Sequence, residues 1–396
     1  MLMLHRIRQV VHGQLELRAQ KIERHRHRNA NIAVNLARAF AITIVVSHHL
    51  HGGGIIFPMT NWLLFPSFVI PVFTFVSGYF FKKPQDDMRW LSFVAQKARA
   101  LLLPYFVWNL IYGCLTLFLS SIDFVHYGDA LSLETLLVRP WIDSRQFSFI
   151  LPAWYLITLF IASILHFGLR RLLKKLHLLN EYVLLAITFL ISAIAIYFAQ
   201  KGYNTGLCLQ LAKVGYVLPY LQAGLMFRNF EKLLYKHKAL SLMLLMGAIY
   251  LIEQLSPEPL YAGPIWASFT GNPACLILAN LCSVLITMVV CETLAPAFAH
   301  SRIVNAVGEN SFSIMMHHPL VMFLINSALY VLSRFIDMNF KIARFQTNIC
   351  YAYPWRDDRI YLAYVAICIA VPVLVKVWND NLILRLHRRA KAREQS

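Results

Sequence analysis

Residues 35–49 run Asn-Leu-Ala-Arg-Ala-Phe-Ala-Ile-Thr-Ile-Val-Val-Ser-His-His, an apolar stretch that contains both Arg38 and His49. Eleven helical steps of about 100° bring His49 to within about 20° of Arg38, roughly 16 Å further along the helix axis. An arginine near the bilayer centre costs about 2.5–3.5 kcal/mol on insertion scales, which marks it as a functional candidate. Alternatively, Arg38 reaches the cytoplasmic headgroups and His49 lies at the opposite interface.

The composition of the chain indicates a membrane protein. Of 396 residues, 58% are apolar and 14% are charged, and the mean hydropathy is +0.56. Soluble domains contain about 25% charged residues, whereas a membrane helix needs roughly 17–25 apolar residues. We therefore predict an all-α, polytopic integral membrane protein with about ten transmembrane helices. The predicted spans lie near 31–50, 63–81, 101–121, 152–168, 182–199, 212–227, 239–255, 273–293, 312–333 and 360–377.

The basic residues support this topology. The net charge is +18, and most basic clusters fall on one side of the predicted membrane, as the positive-inside rule requires. We therefore expect both termini to be cytoplasmic and expect no nucleic-acid partner, because topology and anionic lipid account for the charge. Residues 334–359 are an exception, since they are basic and assigned outside. The cytoplasmic clusters are Arg24, Arg26 and Arg28; Lys82, Lys83, Lys97 and Arg99; Arg170, Arg171, Lys174 and Lys175; Arg228, Lys232, Lys236 and Lys238; and Arg385, Arg388, Arg389, Lys391 and Arg393.

The chain divides into three parts. Residues 1–30 form a basic cytoplasmic arm without the apolar core of a signal peptide, residues 31–378 form the transmembrane domain, and residues 379–396 form a basic cytoplasmic tail. Most of the seven cysteines fall inside predicted spans, and no C-x-x-C pair supports a zinc or redox site. Cys208 and Cys350 fall in or near external loops, where they could pair.

Polar residues in two early segments are candidates for binding roles. Phe73–Tyr79 contains Ser77, Gly78 and Tyr79, and these residues could either bind a ligand or allow close helix packing. Lys97 and Arg99 precede the third span and could hold phosphate groups. The alternative is ordinary positive-inside charge, which we favour for Lys97.

Two later segments carry further candidates. Pro152–Leu156 contains Trp154, which could belong to a binding site or to the aromatic belt at the membrane interface. Asn310–Pro319 contains Ser311 and His318. His318 lies about two turns into the membrane, where a neutral imidazole needs a partner, so it could be either catalytic or a packing residue.

One motif near the first span does not support a function. His51-Gly52-Gly53-Gly54 is similar to the oxyanion loop of lipases, but the chain has no G-x-S-x-G elbow to accompany it. His48, His49 and His51 could bind a metal in principle. We expect none, because no carboxylate or cysteine is nearby and His48 and His51 should point away from the His49 face.

Taken together, these motifs resemble the membrane acyltransferase 3 family of bacterial O-acyltransferases, over about residues 31–378. The matching segments are Arg38 to His49, Phe73 to Tyr79, Arg99 to Tyr105, Pro152 to Leu156, and Asn310 to Pro319 with His318 in the histidine place. The family usually has Tyr at the place of Met315 and often Asp at that of Asn35, so these two positions depart from its pattern.

The resemblance implies a multi-pass protein of the bacterial inner membrane that transfers an acyl group, usually acetyl, from cytoplasmic acyl-coenzyme A to a surface carbohydrate. The implied donor is acetyl-CoA or another acyl-CoA, without a metal, and the acceptor is a surface glycan or lipid-linked sugar. His49 and Arg38 would be catalytic, with Arg38 orienting the donor or stabilising negative charge and His49 acting as base or acyl relay. Substrate would contact Ser77, Gly78, Tyr79, Trp154, His318 and Ser311, and the donor would contact Arg99 and Lys97.

A protein of another class would also suit these features. An exporter or flippase of a polysaccharide or lipid-linked sugar could line its path with the same polar residues. The absence of a visible inverted repeat counts against a secondary transporter. A membrane sensor or scaffold is a third alternative, but no segment resembles a soluble signalling domain.

Overall fold

Helices make up most of the part of the chain that the computed structural model describes, namely residues 16, 31–50, 67–81, 89–143, 147–353 and 359–394. A short antiparallel strand pair interrupts them between the ninth and tenth helices. The helices are α1 Ile32–His49, α2 Val69–Tyr79, α3 Trp90–Ser121, α4 Arg139–Ile142, α5 Trp154–Lys175, α6 Glu181–Gln200, α7 Gly206–Phe227, α8 Glu231–Lys236, α9 Lys238–Gln254, α10 Pro273–Phe298, α11 Arg302–Glu309, α12 Ser311–Leu332, α13 Ile342–Thr347 and α14 Arg359–Glu394; the strands are β1 Tyr261–Gly263 and β2 Ser268–Thr270.

The all-α membrane architecture is confirmed. A helix occupies part or all of each predicted span, and seven helical stretches in the described residues are long and apolar enough to cross a membrane. The other three predicted spans correspond to α2, which has 11 described helical residues, α9, which has 17, and α7. Helix α7 has 22 residues but carries Gln210, Lys213 and Gln222 among its apolar side chains. The count of ten spans and the location of the termini stay predictions.

Asparagine caps set the start of three of these helices. The side chain of Asn31 accepts a hydrogen bond from the backbone N–H of Val34 at 3.3 Å and so begins α1. Asn180 and Asn272 cap α6 and α10 in the same way. Each cap satisfies a backbone donor that the first helical turn leaves without a partner.

Three glycines bring two pairs of helix backbones into direct contact. A Cβ at position 78 of α2 would collide with the backbone carbonyl of Leu221 in α7, and a Cβ at Gly224 would collide with the carbonyl of Phe75. Gly308 of α11 makes a similar approach to Asn35 of α1. Small residues allow such close approach in membrane proteins. The interpretation of Gly78 as a packing residue therefore agrees with its position.

The strand pair lies beside Ser67, just before the first residue of α2. Tyr261 pairs with Thr270 and Gly263 with Ser268. Ser67 joins the pair to α7, because its hydroxyl accepts from the backbone N–H of Ala262 at 2.9 Å and its carbonyl accepts from Tyr216 at 2.9 Å. The pair is thereby held against α7 and the beginning of α2.

The cysteines form no cross-link in this structure. Cys208 is exposed, Cys350 is half-buried, and all seven thiols are free. The possible Cys208–Cys350 disulfide is therefore not formed.

Candidate functional site

Two cavities lie along α1, one near each of its polar residues. The first, which we call the histidine cavity, has a volume of about 540 Å³ and contains His48 and His49 at its wall. The second, the arginine cavity, has a volume of about 390 Å³ and contains Arg38, Ser77, Lys97 and Ser311. The rest of the described lining of both cavities is largely aliphatic and aromatic.

The two cavities meet at three side chains from three helices. Phe73 of α2, Tyr155 of α5 and Met315 of α12 line both cavities, and we call this set the partition. The rings of Phe73 and Tyr155 lie 6.5 Å apart. The Arg38 side and the His49 side of α1 are therefore separated by one layer of side chains.

Arg38 is held at the wall of the arginine cavity. Its Nη2 donates to the hydroxyl of Ser311 at 2.9 Å, and the nearby Glu309 carboxylate attracts it electrostatically. Glu309 ends α11 and Ser311 begins α12, so both residues lie at the junction of these helices, next to α1. The guanidinium is therefore oriented by Ser311 and still borders open space, so it can receive a polar or anionic group.

His49 forms a hydrogen-bonded pair with His318 at the wall of the histidine cavity. Nδ1 of His49 lies 3.1 Å from Nε2 of His318, and Nδ1 of His318 lies 2.8 Å from the carbonyl oxygen of Ile314. A carbonyl can only accept, so Nδ1 of His318 carries a proton. In neutral rings, Nε2 of His318 then accepts from Nδ1–H of His49. This arrangement leaves Nε2 of His49 with a lone pair, as a general base requires.

The spacing of polar residues along α1 and α12 explains why the Arg38–Ser311 pair and the His49–His318 pair both form. Ser311 and His318 are seven residues apart on α12, which is about two turns and so returns to the same face. Arg38 and His49 are eleven residues apart on α1, which is about three turns. The polar stripe of α1 therefore meets a polar stripe of α12 at two points, on either side of Met315.

Lys97, rather than Arg99, is the cation of α3 at the arginine cavity. Its Nζ lies 4.4 Å from the centre of the Phe81 ring, and the side chain lines the cavity. Arg99 is exposed and is absent from the described lining. Residues two positions apart on a helix point to nearly opposite sides, and Lys97 and Arg99 accordingly face different sides of α3. Ordinary positive-inside charge, the interpretation that we favoured for Lys97, does not account for its position at the cavity.

The other predicted binding residues occupy different places. Trp154 lines the histidine cavity and Ser77 the arginine cavity. Gly78 packs against Leu221, outside the lining of both cavities. Tyr79 also lies outside that lining, where its hydroxyl donates to Glu231 at 3.1 Å. His318 is fully buried behind His49.

His48 was expected to point away from the His49 face, and the structure corrects this expectation. Both histidines line the histidine cavity, and His48 is the more exposed of the two. Neighbouring residues on a helix point about 100° apart, and the cavity wall is wide enough to include both side chains. The bond to His318 distinguishes His49, because no such bond is seen for His48 among the described residues.

Lys213 is a buried cation that our sequence interpretation missed. It lies in α7 with 1% of its surface exposed, and its Nζ is 4.9 Å from the centre of the Trp154 ring. Asp143 attracts it electrostatically. A lysine inside a predicted span is itself a signal of function, and this signal could have identified the residue.

The structure gives no support for a metal site. Within the described ranges, no group of three or more His, Cys, Asp or Glu side chains could hold a metal ion. His51 and Gly52–Gly54 lie outside the described residues, so their predicted roles have no structural counterpart here.

Comparison with known proteins identifies the family. The family model for the acyltransferase domain of the acyltransferase 3 type matches residues 31–378, which is most of the chain. No curated protein and no solved structure matches the chain. The match spans α1 to α14 and includes both cavities, and on this basis the chain belongs to the acyltransferase 3 family of membrane acyltransferases.

Proposed function

We propose that this acyltransferase moves an acyl group, most simply acetyl, from cytoplasmic acyl-CoA to a hydroxyl group of a cell-surface carbohydrate. The observation that carries the proposal is the meeting of two cavities at the partition, one bordered by cations and the other by a paired histidine. A donor and an acceptor could approach from opposite ends and meet there. We assign the protein to the bacterial inner membrane, where acyl-CoA is available on one side and surface glycans on the other.

The arginine cavity suits the donor. Arg38 and Lys97 both border it, and the lining residues that the structure describes include no carboxylate. Positive groups of this kind bind phosphate and polarise carbonyl oxygens. We assign Lys97 to an anionic part of coenzyme A and Arg38 to a carbonyl oxygen of the pantetheine arm, so that the thioester lies at the partition.

The histidine cavity suits the acceptor and the base. Nε2 of His49 takes the proton of the acceptor hydroxyl while the hydroxyl oxygen attacks the thioester carbon. The new C–O bond forms, the C–S bond breaks, and the proton passes from His49 to the departing thiolate, so the products are an ester and free coenzyme A. His318 is a positioning residue, because it accepts from Nδ1 of His49 and fixes which nitrogen is the base.

Aromatic residues at the histidine cavity suit a carbohydrate. Trp154 lines the cavity, and Tyr261 of β1 contributes to the same wall. Aromatic rings offer an apolar face together with a polar group at one edge, as a sugar ring requires. We therefore assign the entrance beside the strand pair to the acceptor.

An exporter or flippase is the alternative. The two cavities together would suit a path through the protein, but the partition lies between them and a sugar would have to displace it. Neither the cationic lining of the arginine cavity nor a paired histidine is needed for simple passage. Acyl transfer accounts for both.

Transfer can be tested with the purified full chain in nanodiscs. We expect radiolabelled acetyl-CoA to label glycan prepared from a host that lacks the protein, and mass spectrometry to find a mass increase of one acetyl group. His49→Ala protein of equal purity should produce no label. Glycan export by the wild type without any acyl transfer from acetyl-, propionyl- or butyryl-CoA would favour the exporter instead.

A further inference from the structure

We propose that Met315 determines which acyl groups the protein transfers. This inference rests on the proposed acyl transfer and specifies its donor selectivity. It concerns the partition, where Phe73, Tyr155 and Met315 line both cavities.

The position of Met315 places it beside the reacting carbon. It lies four residues after Ser311 and three before His318, so all three residues share one face of α12. Ser311 binds Arg38 and His318 binds His49. A donor whose pantetheine arm is held at Arg38 and whose thioester carbon reaches the partition, where an acceptor activated by His49 attacks it, has its acyl group against Met315.

Tyr155, on another side of the partition, is held in place. The Tyr155 hydroxyl lies 3.1 Å from the hydroxyl of Thr74 and also bonds to Ser77. Only 6% of the Tyr155 surface is exposed, and its ring packs beside that of Phe73. Movement of Tyr155 would therefore break its hydrogen bonds and require the rings of Tyr155 and Phe73 to repack.

Met315 is the adaptable side of the partition. It is half-buried, and its unbranched thioether side chain has several rotatable bonds and no strong hydrogen-bonding group. Substitution there changes the space available to the acyl group while Arg38 and His49 keep their partners. In an apolar pocket, one methylene group changes selectivity by about 10–200-fold.

The test is a donor profile with acetyl-, butyryl- and hexanoyl-CoA for the wild type and for Met315→Ala, Met315→Leu and Met315→Phe. Met315→Ala should raise the butyryl-to-acetyl ratio of kcat/KM by about tenfold or more, and Met315→Phe should lower it. Met315→Leu should keep the wild-type ratio, because its volume is similar. Met316→Ala is the matched control: it removes the same atoms one residue later, from a buried residue outside the lining of both cavities.

The outcomes separate this inference from the proposed function. A wild type that transfers no acyl group from any donor would reject both. An active wild type whose donor ratio stays the same in Met315→Ala and Met315→Phe would reject only the role of Met315. If Met315→Ala fails to elute as a single species in detergent, Met315→Val and Met315→Phe test the same dependence on side-chain size.

Discussion

Nδ1 of His49 and Nε2 of His318 lie 3.1 Å apart although the two residues are 269 positions apart in the chain. The bond joins the end of α1 to the middle of α12, and the carbonyl of Ile314 fixes the tautomer of the second ring. His49 is therefore an oriented group with a defined lone pair. This relationship distinguishes it from His48, which shares the cavity.

The first prediction compares the neighbouring histidines. His49→Ala should lower the transfer rate by about 10²–10⁴-fold, which is the usual contribution of a general base, and His48→Ala should retain most activity. Arg38→Ala should resemble His49→Ala, because Arg38 borders the donor side of the same path. Single-turnover assays on proteins matched by size-exclusion profile would measure the rates. Equal and mild losses at both histidines would remove His49 from the mechanism.

Part of this site could be predicted from sequence alone. The 11-residue spacing of Arg38 and His49 follows from helical geometry, and the pattern Asn310–Pro319 placed His318 near the membrane interior. The His49–His318 bond and the partition could not be predicted, because their residues come from helices far apart in sequence. The strand pair was also missed, since three-residue strands in a loop show no alternating period.

The second prediction concerns the positioning role of His318. His318→Ala should lower kcat while the KM for the donor stays near that of the wild type, because His318 contacts His49 and lies outside the described lining of the arginine cavity. His318→Gln should recover part of the rate, since an amide oxygen can accept from Nδ1 of His49. Steady-state kinetics with varied acetyl-CoA would separate the two constants. A large rise in donor KM with kcat unchanged would contradict a positioning role.

The third prediction separates the two basic residues at the start of α3. Lys97→Ala should raise the donor KM and weaken binding of coenzyme A, because Lys97 borders the arginine cavity. Arg99→Ala should behave like the wild type, although the sequence alone predicts a donor contact there. Calorimetric titration with coenzyme A would compare these variants. Weaker binding in Arg99→Ala alone would mean that the donor approaches along the exposed face of α3.

The fourth prediction separates packing from binding in α2. Gly78→Ala should destabilise the protein by about 1–3 kcal/mol, because the new methyl group meets the backbone carbonyl of Leu221. Ser77→Ala should fold normally, since Ser77 is half-buried and borders the arginine cavity. Thermal unfolding in detergent would measure the loss of stability in Gly78→Ala, and the KM for the donor would report on binding in Ser77→Ala. A stable Gly78→Ala protein with a raised donor KM would instead make Gly78 a binding residue.

The fifth prediction concerns topology. Ten spans with a cytoplasmic N-terminus place the C-terminal tail in the cytoplasm, and the exposed Arg385, Arg388 and Arg389 near the end of α14 agree with the positive-inside rule. A fluorescent reporter that folds only in the cytoplasm should therefore be active when fused after Ser396, and a periplasmic phosphatase reporter fused there should be inactive. Fusions of the same pair after Thr270, in the loop that carries the strand pair, serve as the matched control and should give the opposite result. Phosphatase activity at the C-terminus would require an odd number of spans and would place the basic tail on the wrong side of the membrane for this model of donor entry.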